Sequence, residues 1–145
     1  REIAVRDFFR TPDEEGEREL NLSEDEIVVE ILVPPLGDKK SATYEIRQRK
    51  ALDWPLAAAS VVLETAGEEV TSAQVVLGHV APTPRVCSAA AAALVGSPAA
   101  NESAEKAGLA AVQEAAPLSR NGYKVRLTRT AVKRAVLLAA GMEVG

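Results

Sequence analysis

Hydrophobic and polar positions change their period twice along this chain of 145 residues. Ile27–Val28–Val29–Glu30–Ile31–Leu32–Val33 is a β-branched run that stops at Pro34–Pro35, which predicts a strand. Gly37–Asp38–Lys39–Lys40 reads as a turn, and Thr43 to Arg49 as a further strand. Pro55 then interrupts the register and places a bend or a sheet edge there. Leu56 to Glu64 and Val70 to Leu77 flank Ala66–Gly67–Glu68–Glu69, and Gly67 reaches positive φ without steric cost, so the pair reads as a hairpin. In its second arm Ala73, Val75 and Leu77 share one face and Ser72, Gln74 and Val76 the other. That pattern suits a sheet with one buried and one mixed face.

After Pro82 and Pro84 the period becomes helical. Arg85 to Val95 is Ala-rich and Gly96 can close it. Asn101 or Ser103 can cap a second helix running to about Ala115 and ended by Pro117, with Gly108 weakening it by about 1 kcal/mol relative to Ala. Val125 to Ala139 is the clearest helix. Leu127, Ala131, Val132, Ala135, Val136 and Ala139 recur at helical spacing, and Gly141 ends it. Strands precede helices, so the expected class is α+β: an antiparallel sheet of three to four strands with three helices on one face. Residues 1–26 read as a lead-in segment, with Phe8–Phe9 at its end, followed by an acidic loop; residues 27–145 read as a single α+β domain.

Composition narrows this picture. The chain is 47% hydrophobic but only 3% aromatic, so its core is expected to be Ala, Val and Leu, tightly packed and without a large cavity. The net charge of −4 disfavours nucleic acid as a partner. Asp13, Glu14, Glu15, Glu17, Glu19, Glu24, Asp25 and Glu26 crowd one stretch, which reads as a solvated loop before it reads as an acidic docking surface. A single cysteine, Cys87, excludes an internal disulfide and any multi-cysteine iron–sulfur site, and a single histidine, His79, excludes a two-histidine metal site. No apolar run is long enough to span a membrane, and there is no signal peptide. The sequence starts at Arg1 rather than Met, so a fragment, a processed chain or an excised domain is expected.

Few residues carry chemistry. His79 lies just past a strand with no neighbour in sequence that argues for a general base, so a structural or surface role is the simpler reading. Cys87 opens an Ala-rich helix; a buried small hydrophobe fits its Val and Ala surroundings better than a reactive thiol. Ser119 and Thr128 lack a nucleophile elbow. Asp53 either orients a loop or binds a cofactor hydroxyl or amide. Trp54, the only tryptophan, is either a core anchor or a stacking surface for a flat ring. Gly67, Gly78, Gly96 and Gly108 are too scattered for a phosphate loop. Arg47, Arg49 and Lys50 form one basic set and Lys124, Arg126, Arg129 and Lys133 another. Both read first as solvated faces; Arg129 and Lys133, one turn apart, also read as a stripe for an acidic partner or a pyrophosphate.

Three stretches together go further. Tyr44–Glu45–Ile46–Arg47–Gln48–Arg49–Lys50–Ala51–Leu52–Asp53–Trp54, then Leu77–Gly78–His79–Val80–Ala81–Pro82–Thr83–Pro84, then Pro117–Leu118–Ser119–Arg120–Asn121–Gly122–Tyr123–Lys124–Val125 occur in an order and spacing that resemble the C-terminal domain of the FAD-binding (medium) subunit of molybdenum hydroxylases. That family includes xanthine dehydrogenase, aldehyde oxidoreductase and carbon monoxide dehydrogenase. The stretch from Arg1 to Pro34 is similar to the segment that closes the flavin-binding half. The resemblance implies a subunit that holds FAD and passes electrons, next to a large subunit with a molybdenum cofactor and a small subunit with a [2Fe–2S] cluster. It implies a cytoplasmic complex in which this domain lies beside the flavin, docks subunits and is not catalytic alone. Family members often have Tyr-x-Lys followed by Arg and Asp, where this chain has Tyr44, Ile46, Arg49 and Asp53, with Ile46 in place of the lysine. The glycine-rich flavin-binding half is not in the sequence, so the resemblance implies at most residual cofactor contacts, from Tyr44, Ile46 and Asp53. The rival expectations are a stand-alone interaction or scaffold module of the same fold, and a small enzyme using His79 or Cys87.

Overall fold

The computed structural model describes residues 1–49 and 53–144. Its centre is a four-stranded antiparallel meander in the order β1 (Lys40–Ile46), β2 (Ala57–Ala66), β3 (Glu69–Gly78) and β4 (Arg85–Val86), numbered in chain order. Short α1 (Val5–Phe8) precedes the sheet, and α2 (Ser88–Ala92), α3 (Asn101–Ala110) and α4 (Tyr123–Ala139) follow it. The expected α+β class, the hairpin and the helical cover on one face are all present. Ala66 pairs with Glu69 across Gly67–Glu68, with Gly67 at φ 62° supplying the positive angle the tight loop needs.

Alternation decides the faces. Ala57, Ala59, Val61 and Leu63 of β2 are buried while Ser60 and Glu64 are exposed. On the open face Thr43 and Ser60 share a hydroxyl hydrogen bond of 2.8 Å across β1 and β2. In β3, Val75 and Leu77 are buried as the sequence implies, and so is Val70, although its parity is opposite. The register shift after Glu64 explains this, because Glu64 pairs with Ser72 while Thr65 pairs with Val70. Thr71 is the extra residue of a bulge, its Oγ1 donating to Glu64 O at 3.1 Å, and the bulge returns Val70 to the core face.

The helices close the other face. α4 packs across β1 and β2, α3 packs on α4, and α2 packs on α3 and β3. Among the described residues the core has no buried aromatic ring, and Leu63, Leu94, Val61, Val70, Val75, Val132 and Val136 are its largest fully buried side chains. Alanines at 59, 90, 104, 107, 131 and 135 let the layers approach closely. Each fully buried Val or Leu contributes about 1.5–3 kcal/mol. Gly108 belongs to this close approach, since a Cβ there would lie 2.7 Å from Arg129 O. Its helix-weakening effect is therefore the counterpart of tight α3–α4 packing.

Several local expectations are corrected. Arg85 and Val86 are not helical; they pair with Leu77 and Val76 as β4, and Cys87 N–H donates to Val75 O at 2.8 Å. Local Ala-rich propensity does not register the open edge of β3, whose amides and carbonyls need partners. The helix that follows is only Ser88–Ala92 and reaches Gly96 through turns. Ala100 occupies the N-cap of α3; buried Ser103 accepts from Ala100 N–H at 3.0 Å and donates to Pro98 O at 2.5 Å. In α4, Leu127 is half-buried and Thr128 takes the buried position, its hydroxyl donating to Lys124 O at 2.8 Å.

The largest correction concerns Ile27–Val33. These residues form no strand and are solvent-exposed. A β-branched run favours extended backbone, but a strand also needs a paired edge, and among the described residues this run pairs with none. The tract before it is held by polar contacts. Arg1 pairs with Glu26 at 2.6 Å, Arg10 Nε donates to Arg18 O at 2.7 Å, and Phe9 bridges Leu20. The Arg1 guanidinium, helped by the Ser23 amide, lowers the Glu26 carboxyl to about 2. No helix among the described residues is long and apolar enough to cross a membrane.

Candidate functional site

One end of the sheet gathers the residues with chemistry. β1 ends where Ile46 pairs with Ala57, and Leu56 N–H donates to Ile46 O at 2.8 Å. β3 ends at Gly78 opposite Ala58. Antiparallel pairing therefore brings the segment arriving at β2 beside the segment leaving β3. Trp54 and His79 emerge together, their ring centroids 6.0 Å apart and tilted by 53°. His79 has φ 61°, a left-handed conformation uncommon outside glycine, and its carbonyl accepts a hydrogen bond of 2.9 Å from Lys124 Nζ at the start of α4. Trp54 is 85% exposed, so it is not a core anchor. The open indole offers an apolar face to a partner or a flat ring.

The three sequence stretches singled out above meet here, Trp54 coming from the first, His79 from the second and Lys124 from the third. Sequence spacing did not show this convergence, since His79 and Lys124 are 45 residues apart. Their position inside separate motifs was the available signal.

Tyr44, Ile46 and Asp53 are placed differently. Tyr44 and Ile46 alternate onto the helical face of β1, half-buried against the core. Arg134 of α4 donates to the Tyr44 hydroxyl at 2.6 Å, and its guanidinium carbon lies 5.2 Å from the ring centroid. Asp53 lies beyond Ile46 in the outgoing loop and pairs with Arg49 at 3.4 Å. Lys50, Ala51 and Leu52 of the same motif lie outside the described residues.

The remaining candidates are occupied elsewhere. Arg129 and Lys133 do not form a free cationic stripe: Glu105 of α3 accepts from Arg129 Nε at 2.7 Å and pairs with Lys133 Nζ at 3.0 Å. The hydrogen bond from Lys133, then that from Arg129, holds the Glu105 carboxyl below its ordinary value. Cys87 is half-buried before the short α2, in a groove of about 490 Å³ that it shares with Leu77, Asn121 and Thr128. The positive-φ glycines at 16, 37, 67, 96 and 141 sit in separate turns, so they assemble no phosphate cradle.

The family profile described as the CO dehydrogenase flavoprotein C-terminal domain matches residues 42–139. The chain belongs to this family. The carbon monoxide dehydrogenase medium chain of Hydrogenophaga pseudoflava is 31% identical over 119 residues, covering 79% of this chain and 42% of that protein. The chain thus spans about two fifths of the length of that relative. A solved reconstituted CO dehydrogenase from Oligotropha carboxidovorans superposes with a TM-score of 0.65 at 32% identity, over 78% of this chain and 40% of that one. Quinoline 2-oxidoreductase from Pseudomonas putida 86 superposes with a TM-score of 0.68 at 24% identity, over 74% and 39%, and shows a shared fold.

For a flavoprotein C-terminal domain, the fit to a flavin is one-sided. Exposed Trp54, with His79 and Lys124 beside it, offers a wall for a planar ring. The scattered positive-φ glycines offer nothing for a pyrophosphate.

Proposed function

We propose that this chain is the C-terminal domain of an FAD-binding medium subunit of a molybdenum hydroxylase, where it positions the flavin and docks the partner subunits. The observation that carries this reading is the convergence of its three family stretches on one open sheet end with Trp54 exposed. Family membership supports it, as does a relative named as the medium chain of carbon monoxide dehydrogenase. The partners are the flavin-binding N-terminal half of the same subunit, a large subunit with the molybdenum cofactor and a small iron–sulfur subunit, in a cytoplasmic complex. The flavin, when bound, supplies electron transfer from the iron–sulfur cluster to the final acceptor. This domain supplies position. Tyr44, Ile46 and Asp53 are its contact residues, running along β1 into the outgoing loop toward Trp54. Ile46 gives an apolar contact.

The second reading is an interaction or scaffold module of the same fold without flavin. It is favoured by Tyr44, which faces the helices and already holds Arg134. Titration of the chain with FAD, following the emission of its single tryptophan, separates the two. Saturable quenching, weakened by Asp53→Ala, is the expected result. A flat response through high micromolar FAD removes flavin contact from this domain and leaves the module.

A further inference from the structure

We infer that Asn121–Gly122 is a modification site, where the Asn121 side-chain amide is lost by ring closure on the Gly122 nitrogen and a carboxylate takes its place beside Lys124. The chain has three asparagines, at 21, 101 and 121, and only Asn121 is followed by glycine. The pair lies in the turn that leads into α4. Gly122 has no side chain to shield its nitrogen, it is exposed, and a Cβ built on it would meet nothing within 4 Å. Among the described residues its N–H donates to no acceptor, so no hydrogen bond must break before the nitrogen can attack.

The carbonyl it would attack is equally unrestrained. Asn121 is half-buried, and its Oδ1 is buried with no hydrogen-bond partner among the described residues. A buried acceptor left unpaired gains nothing from its present position, so turning the amide toward Gly122 N gives up no bond at that oxygen. The other two asparagines differ. Asn21 Nδ2 donates to Asp7 O at 3.2 Å and Leu22 follows it, while Asn101 opens α3 with Glu102 next to it in the helix.

The step needs only water. Gly122 N bonds to Asn121 Cγ and gives up its proton, the Cγ–Nδ2 bond breaks, and the amide nitrogen leaves as ammonia with a proton gained. A five-membered succinimide results. Water then adds to one of its two carbonyl carbons. Cleavage of the new N–Cγ bond leaves aspartate at 121. Cleavage of the original peptide bond leaves isoaspartate, with one extra carbon in the main chain. Nothing is oxidised or reduced.

The product cannot keep the place of the amide, because a charge buried without a partner costs far more than a neutral oxygen. Lys124, three residues on, lines the same groove, and its Nζ donates to His79 O at 2.9 Å. Arg85, the other cation lining that groove, is paired with Glu114 at 3.3 Å. A carboxylate at 121 is therefore drawn to the N-terminus of α4 and to the Lys124 ammonium. Lys124 then leaves the carbonyl of His79, which loosens the left-handed His79 and the Trp54 ring beside it. One lost amide thus alters the open sheet end.

The test is incubation of the folded 145-residue chain at mildly alkaline pH, followed by peptide mass mapping, enzymatic methyl labelling of isoaspartate and emission of its single tryptophan. Conversion is expected at Asn121 while Asn21 and Asn101 persist, with Trp54 emission shifting in step. Asn121→Asp is expected to show the shifted emission from the start, and Asn121→Gln, which keeps an amide, to stay unshifted through the incubation. Gly122→Ala is expected to slow conversion by about tenfold or more, because a Cβ crowds ring closure. The same variant is expected to leave the melting temperature unchanged, since the added carbon meets nothing within 4 Å. Conversion at Asn121 no faster than at Asn21 and Asn101, or only in urea-unfolded chain, overturns the site. Equal rates with glycine and alanine at 122 overturn the ring closure. Full conversion with unchanged Trp54 emission, repeated in Asn121→Asp, overturns the coupling through Lys124 and His79.

Discussion

Residues 40–142 and residues 1–39 contain apolar residues of the same kinds and use them in opposite ways. In the first region Val and Leu alternate onto one sheet face and helices with matched small residues cover it. In the second, Ile27, Val29, Ile31 and Val33 are as apolar as the core yet stand in water, and the tract is held by arginine contacts to carboxylates and carbonyls. Exposed ion pairs stabilise little, whereas burial of each core side chain stabilises substantially. Sequence hydrophobicity thus marks where a surface is needed, and only a facing layer turns that need into stability.

The largest expected contrast is between Leu63→Ala and Ile31→Ala. Leu63 is fully buried between β2 and the helices, so its truncation is expected to cost about 2–5 kcal/mol in chemical denaturation. Ile31→Ala is expected to stay within about 0.5 kcal/mol in the same chain. Equal losses would show that the first region packs on the second.

Next is Gly108→Ala. Propensity alone raises helix stability by about 1 kcal/mol. The added methyl, however, meets the Arg129 carbonyl at 2.7 Å, so the net effect is expected to be a loss of about 1–3 kcal/mol, read from the denaturation midpoint. A net gain would show that α3 and α4 slide apart easily.

The smallest effects are electrostatic. The Glu105 and Glu26 carboxyls are both lowered by cationic partners, so in the pH range below 4.5 the unfolded chain binds more protons than the folded one. Their contribution is fully present above pH 4.5 and is lost as pH falls through the folded values, for Glu26 between 4.5 and about 2. Glu105→Gln is expected to flatten the fall of melting temperature with acid, because Glu105 joins α3 to α4. Arg1→Ala is expected to return the Glu26 carboxyl toward its ordinary range by NMR titration while leaving the melting temperature of residues 40–142 unchanged. A fall in that temperature would tie the tract to the sheet.

What the sequence determined by itself is local and periodic. Alternation in Ala73, Val75 and Leu77, the turn at Gly67 and the helical spacing through Ala139 predict the hairpin, the buried face and the last helix, because each depends on neighbours within a few residues. Composition likewise determined a core of Ala, Val and Leu, and the three spaced motifs pointed to the family. Tertiary structure decided everything that depends on a distant partner. Arg85–Val86 becomes a strand because β3 offers an edge, Val70 turns inward because Thr71 is bulged, and Arg129 and Lys133 lose their free charge to Glu105 on another helix. It also placed Trp54, His79 and Lys124 at one sheet end, and it left Ile27–Val33 exposed and unpaired, because backbone hydrogen bonds between strands require an edge that residues 27–33 cannot supply to themselves.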